Sequence, residues 1–196
     1  MKIVGLLPLK IHSERIPRKN FKPFAGKPLF VWVLNSMLQS KYIQEIVINT
    51  DAHSELLDSG LVADERVRII ERPLRLVGDS VSMNEIIKYD ISRVEADHYL
   101  MSHVTNPNLT STSLDSAFES YIAGLDQGFD SLFSVTKTQT RFYDESGEPV
   151  NHDPKKLERT QDLPRFLRKI RTYTYSLKKF FLRAGGALGG HQSCIR

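Results

Sequence analysis

Short apolar runs alternate with amphipathic stretches along the first 140 residues of the chain. Buried strands are typically short, β-branched runs, whereas apolar residues at every third or fourth position predict a helix. The pattern predicts five strands, at 3–8, Glu45–Thr50, 67–70, His98–Ser102 and 131–136. It predicts four helices between them, at 28–40, 54–63, 82–94 and 113–125. Because strands that alternate with helices form parallel sheets covered on both faces, we expect an α/β fold.

The pattern changes after Thr140. Residues 141–154, RFYDESGEPVNHDP, place aromatic and apolar side chains on both sides of a Glu-Ser-Gly-Glu turn, which predicts a β-hairpin that projects from the sheet. We therefore divide the chain into an α/β domain at 1–140, a hairpin arm at 141–164 and a divergent basic tail at 165–196.

Length and composition limit the class of protein. With 196 residues, 40% of them hydrophobic, the chain can bury one substantial core but not two full domains. No apolar window approaches the length of a membrane span, so we expect a cytoplasmic protein without a membrane partner. Cys194 is the only cysteine, which excludes an intramolecular disulfide, and no Cys and His spacing predicts a zinc site.

The net charge of +4 is unevenly distributed along the chain. Eight of the 27 Lys and Arg residues lie in 163–196, together with none of the 23 acidic residues. The first 162 residues therefore carry 19 basic against 23 acidic groups. A mildly acidic globular part argues against nucleic acid as the partner.

A loop packed with cations follows the first strand and precedes the first helix. Its six basic residues face a single acid, Glu14, and are Lys10, Arg15, Arg18, Lys19, Lys22 and Lys27. Four prolines restrict the backbone, and Ser13 and Asn20 add neutral hydrogen-bonding groups. A strand, a loop and then a helix can hold a phosphate at the carboxyl edge of a parallel sheet, so we predict a nucleoside triphosphate site. The alternative is a solvated basic surface loop.

The same loop carries a resemblance to a known family. The segment PLKIHSERIPRKN, followed by F-x-P-F-A-G-K-P-L, is similar to the N-terminal signature of the acylneuraminate cytidylyltransferases. The similarity continues through VINTD, ERPLRLVGDSVSMNEII, VTNP, SVTK and RTQDLP, over about the first 164 residues. It implies a Rossmann-like, three-layer α/β/α nucleotidyltransferase fold with a mainly parallel sheet and a hairpin dimerisation arm. It also implies transfer of CMP from CTP to an acidic nine-carbon sugar by a homodimer, with Mg²⁺ as cofactor.

The resemblance assigns roles to individual positions. Phosphate contacts and catalysis would fall to Lys10, Arg15 and Lys19. Contacts with the nucleotide would fall to Ser13, Asn20, Arg72 and Ser82, with Asn20 at the cytosine base. Contacts with the sugar would fall to His103, Thr105 and Asn106. The alternatives are that some of the cations only fix the loop, that Arg72 is an exposed arginine and that His103 is an ordinary loop histidine.

Asp51 is the candidate for a metal ligand, because it directly follows a strand, where α/β folds place ligand-contacting carboxylates. The alternative is that it caps the helix that follows.

Two departures from the family pattern bear on the substrates. Ile11 and His12 stand where many members have two glycines, and Glu14 stands where they have a lysine. His103 stands where relatives that activate Kdo would have an acidic residue, which favours a nonulosonic acid.

The pattern breaks down after Pro164. Relatives continue with a segment like E-N-S-N-L-Y-I, whereas residues 169–175 read KIRTYTY. One set of codons for KIRTYTY encodes ENSNLYI when it is read one base earlier, which suggests a frameshift; the alternative is simple divergence. The resemblance returns at FFLRAGG, residues 180–186.

The segment 163–196, with eight basic and no acidic residues, is unsuited to the inner strands expected here. The family's metal-binding aspartates lie beyond this point, and so we expect the chain to bind nucleotide but to turn over very slowly. The alternatives are an inactive, truncated nucleotide-binding relative and a sugar nucleotidyltransferase that uses another base.

Overall fold

The computed structural model describes residues 1–177 and 192–195. Its helices are α1 (Leu29–Leu38), α2 (His53–Asp58), α3 (Met83–Arg93) and α4 (Ser111–Leu125). The strands of the main sheet are β1 (Ile3–Leu6), β4 (Glu45–Thr50), β5 (Val67–Glu71), β6 (His98–Ser102), β7 (Ser131–Thr138), β8 (Phe166–Leu177) and β9 (Gln192–Ile195). A small hairpin consists of β2 (Pro23–Phe24) and β3 (Lys27–Pro28). Among the described residues, no helix is long and apolar enough to cross a membrane.

The seven strands of the main sheet follow the order β5-β4-β1-β6-β8-β7-β9. The four strands β5, β4, β1 and β6 are mutually parallel. The strand β8 runs antiparallel between β6 and β7, and β9 lies parallel beside β7. The predicted α/β class with a mainly parallel sheet is confirmed.

Alternating side chains of the strands face two different helical layers. On one face, α1, α2 and α4 cover a cluster that includes Ile3, Leu7 and Ile48. On the other face, α3 covers Val4, Leu6 and Val47. Gly5 lies on the first face, and a Cβ built there would meet the side chain of Met37 at 2.3 Å. The helix α1 therefore packs closely on β1, and a larger residue at position 5 would require the flexible Met37 side chain to change its rotamer.

The second helix is shorter than the predicted 54–63. It ends at Asp58, and Gly60 adopts a φ of +66° in the left-handed region, which ends the helix. The residues after Gly60 lead as turns into β5. The predicted extension through Gly60 is wrong because the glycine ends the helix rather than lying inside it.

The expectation that the basic segment after Pro164 is unsuited to an inner strand is also wrong. Residues 173–177 of β8 pair with β6, residues 174–176 also pair with β7, and this half of the strand carries no charge. Tyr173 and Tyr175 are buried, and Tyr175 stacks on Tyr121 of α4 with ring centroids 5.8 Å apart. The basic residues Arg168 and Lys169 pair only with β7. These basic side chains therefore lie in the half of β8 that has only β7 as a neighbouring strand. The rest of the tail, 178–191 and Arg196, including FFLRAGG, lies outside the described residues.

The arm region forms a short turn rather than two full strands. Tyr143 and Pro149 form an isolated antiparallel bridge, and the Val150 amide donates to the Phe142 carbonyl at 2.9 Å. The Asp144 carboxylate accepts hydrogen bonds from the backbone amides of residues 146 and 148, which closes the turn locally. The hairpin connection is present, whereas its role as a dimerisation arm and the three-part division of the chain stay predictions.

Candidate active site

The candidate site lies at the carboxyl ends of the parallel strands. The cationic loop of residues 7–28 leaves β1 there, and the segments after β4, β5 and β6 begin at the same edge. Parallel strands end together, so residues far apart in sequence converge at this edge. The sequence predicted a phosphate site at this position.

The beginning of the loop is attached to β4 by backbone hydrogen bonds. The amides of Leu7 and Leu9 donate to the carbonyls of Val47 and Asn49, both at 2.9 Å, and Leu9 forms a parallel bridge with Thr50. The chain therefore stays hydrogen-bonded to β4 as far as Leu9, beyond the end of β1 at Leu6. Lys10 is the first residue past this attachment, and it begins the cationic part of the loop.

Asp51 fixes the next residue of the loop. Its carboxylate accepts a hydrogen bond from the backbone amide of Ile11 at 2.8 Å. The helix α2 begins after Ala52 without a side-chain cap, so the reading of Asp51 as a helix cap is wrong. This bond uses Oδ1 of Asp51, and the other carboxylate oxygen accepts no hydrogen bond within the described part of the chain.

A lysine and a histidine of the loop meet an acid from a distant segment. Asp79, which lies before α3, forms an ion pair with Lys10 and approaches His12 Nδ1 at 3.2 Å. The hydrogen bond from Lys10 is the main cause that lowers the pKa of Asp79, and the charge of His12 also contributes. Asp79 was not among the residues predicted from sequence, and its surroundings gave no signal of this pairing.

Asn20 lies in a short 3₁₀ turn, Lys19–Phe21, and is only 5% exposed. Its side-chain nitrogen donates to the Lys10 carbonyl at 2.8 Å. A carbonyl can only accept, so this contact fixes the orientation of the amide. The oxygen Oδ1 of Asn20 has no hydrogen-bond partner among the described residues. A buried amide oxygen without a partner costs about 1–3 kcal/mol, which a donor on a ligand would recover.

Arg72, directly after β5, is buried rather than exposed, which overturns the alternative reading. Its Nε donates to Asn49 Oδ1 at 2.7 Å, and its Nη2 donates to the Asn49 carbonyl at 2.8 Å. Burial is the main cause that lowers the pKa of the Arg72 guanidinium, while the charges of Asp51 and Asp90 oppose that shift. A guanidinium stays charged in proteins even so, and the site therefore contains a buried positive charge.

The remaining predicted nucleotide contacts differ in their surroundings. Ser82 caps α3, because its hydroxyl accepts from the Glu85 amide at 3.3 Å. Ser13 is buried within the loop, whereas Arg15 is exposed and Lys19 is half-buried. The structure therefore gives Ser82 a definite structural role, and it leaves the ligand contacts of all four residues as proposals.

The predicted sugar contacts follow β6, which lies beside β1 in the sheet. His103 and Asn106 are half-buried, and Thr105 is exposed. The buried side chain of Val104 and a hydrogen bond from the Leu109 amide to the Asn106 carbonyl, at 3.1 Å, hold this turn in place. The turn thus begins at the sheet edge next to the loop that carries Lys10.

The metal expectation can be tested on the donor groups of the described residues. Among residues 1–177 and 192–195, no group of three or more acidic, His or Cys side chains could hold a metal ion. Magnesium is commonly bound by one or two carboxylates together with substrate phosphates, so a dedicated cluster is not required. The second carboxylate oxygen of Asp51, beside the cationic loop, fits that mode of binding.

Known proteins resemble this chain along most of its length. A sequence model of a family described as cytidylyltransferase matches residues 4–186. The chain is 26% identical over 204 aligned positions to a pseudaminic acid cytidylyltransferase of Campylobacter jejuni, covering 98% of this chain and 86% of that protein. It is 29% identical over 189 positions to N-acylneuraminate cytidylyltransferase A of Danio rerio, covering 92% of this chain and 42% of that protein.

Solved structures show the same fold. The synthetase of CMP:2-keto-3-deoxy-manno-octonic acid, complexed with CTP, superimposes with a TM-score of 0.64 at 17% identity, over 90% of this chain and 74% of that one. The family match extends past residue 164, where the resemblance weakens, and ends at residue 186, the last residue of the FFLRAGG segment in which the resemblance was predicted to return. The frameshift stays a prediction that the DNA sequence of this region would test.

Proposed function

We propose that this chain, which belongs to the cytidylyltransferase family, transfers CMP from CTP to a nonulosonic acid and releases pyrophosphate. One observation carries the proposal: the buried Asn20 amide presents an unpartnered oxygen beside the cationic loop. The exocyclic amine of cytosine is a donor that such an oxygen accepts, whereas the carbonyl of uracil is not. The names of the Campylobacter and zebrafish relatives support a nonulosonic acid as the acceptor.

The proposed reaction is a displacement at the α-phosphorus of CTP. The anomeric hydroxyl oxygen of the sugar forms the new bond and loses its proton, while the bond to the bridging oxygen breaks and pyrophosphate leaves. Negative charge grows on that bridging oxygen, and positioned cations stabilise it. We assign this role to Lys10, Arg15 and Lys19, and the nucleotide contacts to Ser13, Asn20, Arg72 and Ser82.

Lys10 has a specific position in this scheme. In the structure, its side chain forms an ion pair with Asp79, and its carbonyl orients Asn20. One residue thus contributes to both halves of the nucleotide site, with its side chain at the phosphates and its backbone at the base. Bound Mg²⁺, which we propose at Asp51, would supply further positive charge to the phosphates.

The sugar is proposed to contact His103, Thr105 and Asn106. This turn lies at the end of β6, beside the strand from which the cationic loop begins. An imidazole and two neutral polar groups can donate hydrogen bonds to a carboxylate and to hydroxyl groups. We also propose that the enzyme acts in the cytoplasm, which fits its single cysteine.

Pyrophosphate release tests the proposed function directly. Purified protein, CTP, Mg²⁺ and either pseudaminic acid or N-acetylneuraminic acid should give pyrophosphate and the CMP-sugar in equal amounts. Release with UTP but not CTP would favour a nucleotidyltransferase for another base. Binding of CTP without release, with either sugar, would favour the nucleotide-binding relative that is not an enzyme.

The Lys19→Ala variant should bind CTP at least about tenfold more weakly, because a charge-assisted contact with phosphate contributes a few kcal/mol. Isothermal titration calorimetry measures the change. The matched control is Lys22→Ala, since Lys22 is an exposed lysine of the same loop. Equal affinities for the two variants would remove Lys19 from the phosphate site.

Thermal shifts should be larger with CTP than with UTP at equal nucleotide and magnesium concentrations, because only cytosine donates to the Asn20 oxygen. In Asn20→Ala, the difference between the two nucleotides should disappear. A larger shift with UTP in the unmodified protein would contradict the assignment of Asn20 to the base.

The protein should form a homodimer through the arm at 141–164. Apolar side chains of this region are exposed and include Tyr143, Val150 and Leu157, which are between 56% and 97% exposed. Val150→Glu should shift the mass measured by light scattering toward the monomer. Leu57→Glu, at an exposed leucine of α2, is the control and should leave the mass unchanged. A monomer in the unmodified protein at micromolar concentration would contradict a dimerisation arm.

A further inference from the structure

A buried polar network adjoins Arg72, and its residues are not among those assigned to the site. It consists of Asn49 on β4 and Asp90 on α3, both fully buried. Strand alternation explains how they meet, because residues 47 and 49 point to the face of the sheet that α3 covers. Asn49 Nδ2 donates to Asp90 Oδ1 at 2.5 Å.

Asn49 occupies one edge of the Arg72 guanidinium. The donors Nε and Nη2, which form that edge, bond to the side-chain oxygen and to the carbonyl of Asn49. A guanidinium carries five N–H donors in a fixed planar arrangement. Two are used by Asn49, and Nη1 forms no hydrogen bond among the described residues. The edge formed by Nη1 and Nη2 is therefore available to a ligand, in an orientation that Asn49 sets.

The same asparagine connects Arg72 to the cationic loop. The Asn49 carbonyl accepts hydrogen bonds from Arg72 Nη2 at 2.8 Å and from the Leu9 amide at 2.9 Å. Lys10 follows Leu9 directly. One peptide group thus sets the position of Arg72 relative to the start of the loop.

Asp90 completes the network from the helical layer. Its Oδ2 has no partner among the described residues, and burial raises its pKa to about 7 despite the opposing effects of Asn49 and Arg72. The charged groups that face this network are Arg72 and, from the end of β4, Asp51. When ionised, Asp90 offsets the buried charge of Arg72 through the shared asparagine.

We propose that Asn49 and Asp90 are positioning residues for the nucleotide, which hold the Arg72 guanidinium so that its free edge points at the bound CTP. The inference rests on the proposed function, because it requires that Arg72 contacts the nucleotide. Neither residue needs to contact the ligand. Asn49 sets the orientation of Arg72, and Asp90 fixes the amide of Asn49 through a hydrogen bond to its nitrogen.

The composition of the network argues for this role over a contribution to stability alone. A buried arginine, amide and carboxyl group are costly to desolvate, and apolar residues of similar volume often stabilise a fold more. The surroundings here are apolar, with Val47, Ile87 and Ile91 in the adjoining cluster. The presence of charged Arg72 in these apolar surroundings is explained if the free edge of its guanidinium binds an anionic or polar ligand.

A double-mutant cycle on CTP affinity tests the proposal, with calorimetry at about pH 8, above the pKa of Asp90. At this pH, Asp90→Asn replaces the ionised acceptor of the Asn49 nitrogen by a neutral amide, which is a weaker acceptor and can present its NH2 group instead, so the hold on Asn49 is loosened. We expect about tenfold weaker CTP binding in the otherwise unmodified protein, which is about 1.4 kcal/mol. In an Arg72→Ala background, the same substitution should change affinity less than about twofold. Equal losses in both backgrounds, or no loss in the first, would overturn the proposal.

Two further variants separate positioning from folding. Asn49→Leu, of similar volume, removes the side-chain acceptor of Arg72 and should weaken binding at least as much as Asp90→Asn. Asp115→Asn is the matched control, because Asp115 is a buried carboxylate of α4 that bonds to Ser40 at 2.6 Å on the other face of the sheet. It should leave CTP affinity unchanged. Losses as large in Asp115→Asn as in Asp90→Asn would mean that the network acts only through stability.

The outcomes also distinguish this proposal from the proposed function. If the unmodified protein binds ATP or UTP in preference to CTP, the proposed function fails, and the cycle can be repeated with the preferred nucleotide. If CTP binds and Arg72→Ala weakens it while Asp90→Asn and Asn49→Leu do not, the positioning proposal alone fails. If Arg72→Ala leaves CTP affinity unchanged, Arg72 is not in the site and the positioning proposal fails with it.

Discussion

Replacing Tyr175 by alanine should lower the free energy of unfolding by about 3–5 kcal/mol, the range for large-to-small substitutions in a core. Tyr175 is fully buried in β8, stacks on Tyr121 and packs against Phe118, and its hydroxyl donates to the Leu114 carbonyl at 3.1 Å. The substitution would remove these contacts from the middle of the sheet. Urea denaturation followed by circular dichroism measures the change.

Two further variants calibrate that result. Tyr175→Phe keeps the ring and should cost only about 0.5–1.5 kcal/mol, since it removes one hydrogen bond to the Leu114 carbonyl, which lies within α4. Leu74→Ala, at a leucine that is 90% exposed, should change stability by less than about 0.5 kcal/mol. If Tyr175→Ala resembled Leu74→Ala, the segment after Pro164 would not form the inner strand described here.

Asp90→Asn should change how stability depends on pH. Burial raises the pKa of Asp90 from 3.8 to about 7, so the folded protein holds this proton at pH values where the unfolded chain has released it. The stabilisation is fully present below the unfolded pKa near 4 and is lost as pH rises through about 7. The variant cannot titrate here, and it should therefore gain stability relative to the unmodified protein as pH rises.

Between about pH 5 and pH 8 the expected relative gain is roughly 2–3 kcal/mol, because each unit of pKa shift corresponds to about 1.4 kcal/mol. Denaturation curves of both proteins at several pH values give the difference, in which contributions from all other groups cancel. Asp90→Leu also removes the carboxyl group and should show the same pH trend. A constant difference across this range would mean that Asp90 ionises as it does in the unfolded chain.

The sequence predicted the sheet well because its parallel strands are short, apolar and separated by amphipathic helices. The strands at Glu45–Thr50 and His98–Ser102 have the predicted bounds. The strand β8 was missed because its composition was averaged over the whole basic segment. The burial of Tyr173 and Tyr175 depends on which half of the strand lies between two neighbours, and composition does not contain that information.

The candidate site was predictable only where its residues are close in sequence. Lys10 and Asn20 share one loop, and the structure joins them by a hydrogen bond. Asn49, Asp79 and Asp90 were missed because each comes from a distant segment, and strand register and helix packing bring them together. An asparagine inside the apolar strand EIVINT was the one available signal, since a buried amide needs partners.

The position of β1 in the middle of the sheet has a consequence for folding kinetics. The first strand of the chain pairs with residue 45 on one side and residue 98 on the other, and β6 gains its second neighbour only at residues 173–177. Doubling the length of a loop adds only about 0.6 kcal/mol to its closure, so these distant pairings cost little stability. These pairings do slow folding, since sheets built from non-local contacts fold slowly. During synthesis, the outer edge of β6 therefore stays unpaired until β8 has emerged, and an unpaired edge of this kind invites aggregation.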